Sequence, residues 1–69
     1  MIRKRSVTLA GHRTSVSVED EFWNELKAIA EQDRRTVADA LTDLDAARGG
    51  NLSSAVRLYV LRRLKTGTR

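Results

Sequence analysis

The chain has no cysteine and no proline, one histidine, and one each of tryptophan, tyrosine and phenylalanine. Without thiols there are no disulfides, and His12 alone cannot make a structural zinc site. No apolar run approaches the roughly 18 residues that span a membrane. The start, residues 1–5, is basic, but no apolar segment follows it, which argues against a secretory signal. The lack of cysteine fits a cytoplasmic location. Catalytic groupings are missing too. Ser53 and Ser54 have no second histidine as a base, there is no glycine-rich phosphate loop, and no acid–base pair marks a site. Nothing points to an enzyme or a cofactor. The 69 residues make one domain, which buries only about 60% of its unfolded surface. With disulfides and metals excluded, oligomerisation is the remaining support for so small a core.

Acids are absent from both ends. Residues 1–13 carry Arg3, Lys4, Arg5 and Arg13, a net charge of +4. All nine acids lie between Glu19 and Asp45, and residues 14–47 have a net charge of −6. Residues 48–69 have a net charge of +6. Ten of the thirteen bases are arginine, whose planar fork suits phosphate and guanine. Basic ends around an acidic middle suit a polyanion partner, although solubility charge alone would look similar.

There is no internal repeat and no low-complexity tract. Residues 13–18 alternate: Thr14, Val16 and Val18 share one strand face, and Arg13, Ser15 and Ser17 share the other. Val7 and Leu9 have the parity of the polar set, so the register must change between Leu9 and Arg13. Gly11 is the place for a bulge or a turn. Residues 1–11 are then a separate basic arm or a short strand with its own packing.

Residues 20–32 predict a helix from the spacing of Phe22, Leu26, Ile29 and Ala30, with Glu19 or Asp20 as N-cap. Thr36 predicts a second N-cap, with Asp39 three residues on in near capping-box form. Val37, Ala40, Leu41 and Leu44 give that helix its apolar face, and Gly49-Gly50 ends it as a left-handed cap. A third helix, about residues 52–65, starts at Asn51 or Ser53. Its apolar residues, Ala55, Val56, Leu58, Tyr59, Val60, Leu61 and Leu64, wrap most of its circumference. That predicts burial against several neighbours, more than one chain supplies.

One clear strand per chain needs a partner for its backbone groups, and a second copy supplies one. The segments Arg13-Thr-Ser-Val-Ser-Val18, Phe22-Trp-Asn-Glu-Leu26 with Ile29-Ala30, and Val37-Ala-Asp-Ala-Leu41 resemble the ribbon-helix-helix family of DNA-binding proteins. The pattern running from Gly11 to Trp23 and from Asn51 to Leu58 resembles a small bacterial subgroup with an extra helix. Leu52–Leu61 also resembles the family's second helix, which would make residues 33–51 an insertion. Thr36 is favoured as the start because the loop from Ala30 then has normal length.

The resemblance implies a mainly α fold with one short β-strand: a homodimer with an intermolecular two-stranded antiparallel ribbon and a third helix. Residues 1–11 would be the arm and 12–69 the domain. The family implies a ribbon in the DNA major groove, with Arg13, Ser15 and Ser17 reading bases. Arg3, Lys4 and Arg5 would grip the backbone, and Arg34, Arg35 and Thr36 would hold phosphate at the start of the second helix. Val16, Val18, Phe22, Trp23, Leu26, Ile29, Leu41, Leu44, Val56 and Tyr59 would form the dimer core. Trp23 and Tyr59 read as core rather than base-stacking residues. The expected function is sequence-specific DNA binding in transcription regulation, with double-stranded DNA and a second copy as partners. The alternative is an antitoxin-like dimer that binds a protein through its C-terminal helix.

Overall fold

The computed structural model describes residues 1–48 and 51–66. The chain opens with strands β1 (Ile2–Leu9) and β2 (His12–Glu19), which pair antiparallel as a hairpin. Ala10 and Gly11 make its two-residue turn with φ of 50° and 85°. Positive φ at both positions is the type I′ geometry that matches strand twist. Space is not the constraint at Gly11, since a Cβ there would meet nothing within 4 Å. The constraint is φ itself.

This hairpin corrects two expectations. The chain has two strands rather than one, and residues 2–9 are a paired strand rather than an arm. The expected change of register at Gly11 is a full reversal. A two-residue turn pairs odd positions of β1 with even positions of β2: Leu9 with His12, Val7 with Thr14, Arg5 with Val16. Val7 and Leu9 therefore join Val16 and Val18 on the inward face. β2 thus finds a strand partner in its own chain.

Helix α1 (Asp20–Gln32) follows without a loop. Glu19 is its N-cap but makes no side-chain cap bond; Asp20 and Glu21 in the first turn complement the helix dipole. The helix ends with Arg34 N donating to Glu31 O and Arg35 N to Ala30 O. Arg34 sits at φ 58°, the left-handed position of a Schellman motif. Helix α2 (Val37–Arg48) opens on the expected capping box. Asp39 N donates to Thr36 Oγ1 at 3.0 Å and Thr36 N to Asp39 Oδ2 at 3.2 Å. Helix α3 (Leu52–Thr66) is capped by Asn51, whose Oδ1 accepts from Ser54 N at 3.0 Å. The cap expected at Gly49-Gly50 lies outside the described residues.

The hairpin and all three helices share one core: Leu9, Val16, Val18, Leu26, Ile29, Ala40, Leu41, Leu52, Val56 and Val60. Phe22, Trp23, Leu44 and Tyr59 pack on it, partly buried. Six residues expected in a dimer core (Val16, Val18, Leu26, Ile29, Leu41 and Val56) are thus buried within one chain. The radius of gyration is 11.3 Å, against about 11 Å for a compact chain of this length. Helix α3 still has a bare apolar side: Leu58, Leu61 and Leu64 are 42%, 49% and 51% exposed.

Candidate nucleic-acid interface

Alternation along the hairpin puts Arg13, Ser15 and Ser17 on the outward face, as the sequence predicts. The register adds three residues from β1. Lys4 lies opposite Ser17, Ser6 opposite Ser15, and Thr8 opposite Arg13. All three are exposed. These six residues are polar, with two cations and no acid among them. The signal of this face in the sequence is the parity change across Ala10-Gly11, which a two-residue turn explains and a separate arm does not.

The far end of the face is closed by Ile2 and Glu19. Glu19 accepts from Arg57 Nε at 3.0 Å. A backbone hydrogen bond and the Arg57 guanidinium hold its carboxyl below the ordinary glutamate value. Its charge is therefore balanced on the spot by Arg57.

The start of α3 fastens the outer edge of β2. Ser17 N donates to Ser53 Oγ at 2.9 Å, and Arg57 Nη2 donates to Ser17 O at 3.3 Å. Both backbone groups that Ser17 turns away from β1 are thus occupied. Ser53 and Arg57 are ribbon-positioning residues that periodicity alone does not reveal, because they act 36 and 40 positions along the chain.

The basic cluster of residues 3–5 is divided by strand alternation. Lys4 faces outward; Arg5 turns inward and is engaged by the fold. Its Nη2 donates to Asp20 Oδ1 at 3.2 Å, and its guanidinium lies 4.6 Å from the centroid of Trp23. Only 21% of the Arg5 side chain is exposed. Arg3 is mostly exposed, 3.9 Å from the same Asp20 carboxylate. Trp23 is thus a platform for Arg5, partly buried, rather than a free aromatic.

The start of α2 is occupied by its own side chains. Asp39 caps Thr36, and the Thr36 backbone N–H, then its hydroxyl, hold the Asp39 carboxyl below its ordinary value. Arg35 donates to Asp39 O at 2.8 Å and pairs with the Asp43 carboxylate. A phosphate there would compete with Asp39, so the helix end expected to anchor DNA carries a carboxylate instead. Arg34 is exposed. The first turn of α3 has no acid. It is α3, not α2, whose start is fastened to the ribbon.

Elsewhere, Asp33 accepts two bonds from Arg63, 2.8 and 3.1 Å, joining the end of α1 to α3. His12 Nε2 lies 3.4 Å from Asp45 Oδ2, tying the turn end of the hairpin to α2. Among the described residues no three His, Asp or Glu side chains gather as a metal site. No helix there is long and apolar enough to cross a membrane.

No curated protein and no solved structure matches the chain. The ribbon-helix-helix domain family matches residues 2–64, from the first strand through most of α3. Proteins of that family bind DNA and dimerise. The match spans the hairpin, the helices behind it and the turn that joins its strands, and the chain belongs to the ribbon-helix-helix domain family.

Proposed function

We propose that this protein is a homodimeric, sequence-specific DNA-binding regulator of transcription in the cytoplasm, and that it reads DNA with the outward face of its hairpin. The observation that carries this reading is the face itself. It carries Lys4, Ser6, Thr8, Arg13, Ser15 and Ser17, with its one acid, Glu19, at the far end and paired to Arg57, and Arg13, Ser15 and Ser17 are exposed or half-exposed on a strand whose other side is core. A two-stranded ribbon fits the major groove, where a guanidinium can bond guanine O6 and N7 together. The serines accept or donate and discriminate less. Arg3 and Arg34 are exposed and suited to backbone contacts. The dimer is supported by the bare stripe Leu58, Leu61 and Leu64, which a second α3 would cover.

The same stripe supports the second reading, an antitoxin-like dimer that binds a protein partner there. Against it, α3 is no detached tail: Leu52, Ala55, Val56 and Val60 are buried in the core.

Fluorescence anisotropy on a panel of duplexes across a salt series tests the first reading, with Arg13→Ala in parallel and sedimentation equilibrium for the dimer. The expected result is one preferred duplex, log K falling linearly with log salt, and a preference lost in the variant. A chain that binds all duplexes alike, unaffected by Arg13→Ala, contradicts DNA reading and leaves the protein-partner function.

A further inference from the structure

We propose that a second copy of this chain docks along the groove between α1 and α3, its α3 parallel to the first, with the acids of each copy against the bases of the other. This rests on the homodimer read above and goes beyond it by assigning the surface, the orientation and the charges. The contact is made by helices alone. It leaves the strand edges free to pair between protomers in the shared ribbon that the family implies.

The groove holds about 290 Å³ and is lined by Glu21, Phe22, Glu25, Val60 and Leu64. Glu21 and Glu25 stand one turn apart on α1, and Val60 and Leu64 one turn apart on α3. Leu64 also belongs to the bare stripe, which continues through Leu61 to Leu58. Groove and stripe thus form one apolar strip with two carboxylates along one side. Single exposed leucines are ordinary, whereas a contiguous apolar strip with a polar rim marks a contact surface.

The neighbouring charges are taken up within the chain. Asp20 pairs with Arg5, Glu19 with Arg57 and Asp33 with Arg63. Glu21, Glu25, Arg62 and Lys65 are all exposed, and they make no ion pair among the described residues. At about 100° per residue, Leu61, Lys65, Leu58 and Arg62 follow Leu64 in that order around α3, away from the groove. From α1 across α3 the surface therefore runs acid, apolar, base. The occupant is a second copy because this chain itself carries the complement of the groove: leucines flanked by two unpaired bases.

Symmetry selects the orientation. A two-fold interface uses the same patch on both copies, so each charge must be brought to its opposite by the axis. An axis running along α3 does this. It sets the two α3 helices parallel, with Leu61 near the axis, and turns the basic side of each toward the α1 of the other. Glu21 and Glu25 then face the partner's Arg62 and Lys65. An axis across α3 makes the pair antiparallel and sets acids beside acids, which like-charge repulsion opposes.

The experiment uses two charge-reversed variants, Glu21→Lys/Glu25→Lys and Arg62→Glu/Lys65→Glu, alone and mixed, by sedimentation equilibrium. Each alone is expected to associate about tenfold more weakly than wild type, since like charges then meet across the axis. The equimolar mixture is expected to recover wild-type association, because each groove meets opposite charge on the other variant. Variants that associate as tightly as wild type, or a mixture no tighter than either alone, overturn the proposal and leave the homodimer to the strands. A wild-type chain that sediments as a single chain overturns the homodimer as well, so the two failures are distinct. A second measurement reverses no charge and uses the absence of native cysteine. Leu61→Cys is expected to oxidise to a covalent dimer. Its failure to do so places Leu61 away from the axis and overturns the proposal.

Discussion

Arg34 occupies a position that favours glycine. At φ 58° it closes the Schellman end of α1, where a side chain costs roughly 1 kcal/mol or more relative to glycine. Its side chain is exposed and makes no hydrogen bond or ion pair with the other described residues. Arg34→Gly should therefore stabilise the fold by about 1 kcal/mol, which for a domain this small raises the melting midpoint by roughly 4–8 °C. Calorimetry checks this, and an unchanged or lower midpoint would show that the arginine makes a compensating contact. Nothing in the sequence around Asp33-Arg34-Arg35 announces a left-handed residue, because its usual signal is glycine. The environment of Arg5 is equally hidden from its sequence neighbours. Between Lys4 and Ser6 it looks like solvated charge, and only the distant Asp20 and Trp23 explain its burial.

The helices were more legible than the ribbon, for a physical reason. Helix signals are local: Thr36 and Asp39 sit one turn apart and cap each other, and the expected bounds 20–32 match α1 residue for residue. Strand pairing is not local in that sense. Ile2 pairs with Glu19, 17 positions away, and a basic segment such as residues 3–5 looks like an arm until its partner is known. The candidate reading residues of β2 were legible because alternation is local. Their counterparts on β1 depended on the turn. The ties between elements give a pH dependence. Glu19, Asp33 and Asp39 all titrate below their ordinary values in the folded chain, held down by hydrogen bonds from backbone N–H groups or Arg63. A depressed folded value stabilises the fold above the unfolded values of 4.5 for glutamate and 3.8 for aspartate. That stability is lost as pH falls through the lower folded values. Urea midpoints should thus hold near neutrality and drop below about pH 4. A midpoint as high at pH 3 as at pH 7 would mean these ties contribute nothing.

Across the whole molecule, the hairpin and the three helices bury one shared core. What remains outside is divided between two surfaces: the polar hairpin face and the leucine stripe of α3. The proposed division of labour gives DNA the first and a second copy the other. Amide chemical-shift mapping of the labelled protein, titrated with its preferred duplex, tests this most directly. The largest shifts are expected at Lys4, Ser6, Thr8, Arg13, Ser15 and Ser17, with Leu58, Leu61 and Leu64 unmoved. Shifts centred on the leucine stripe, with the hairpin silent, would contradict it.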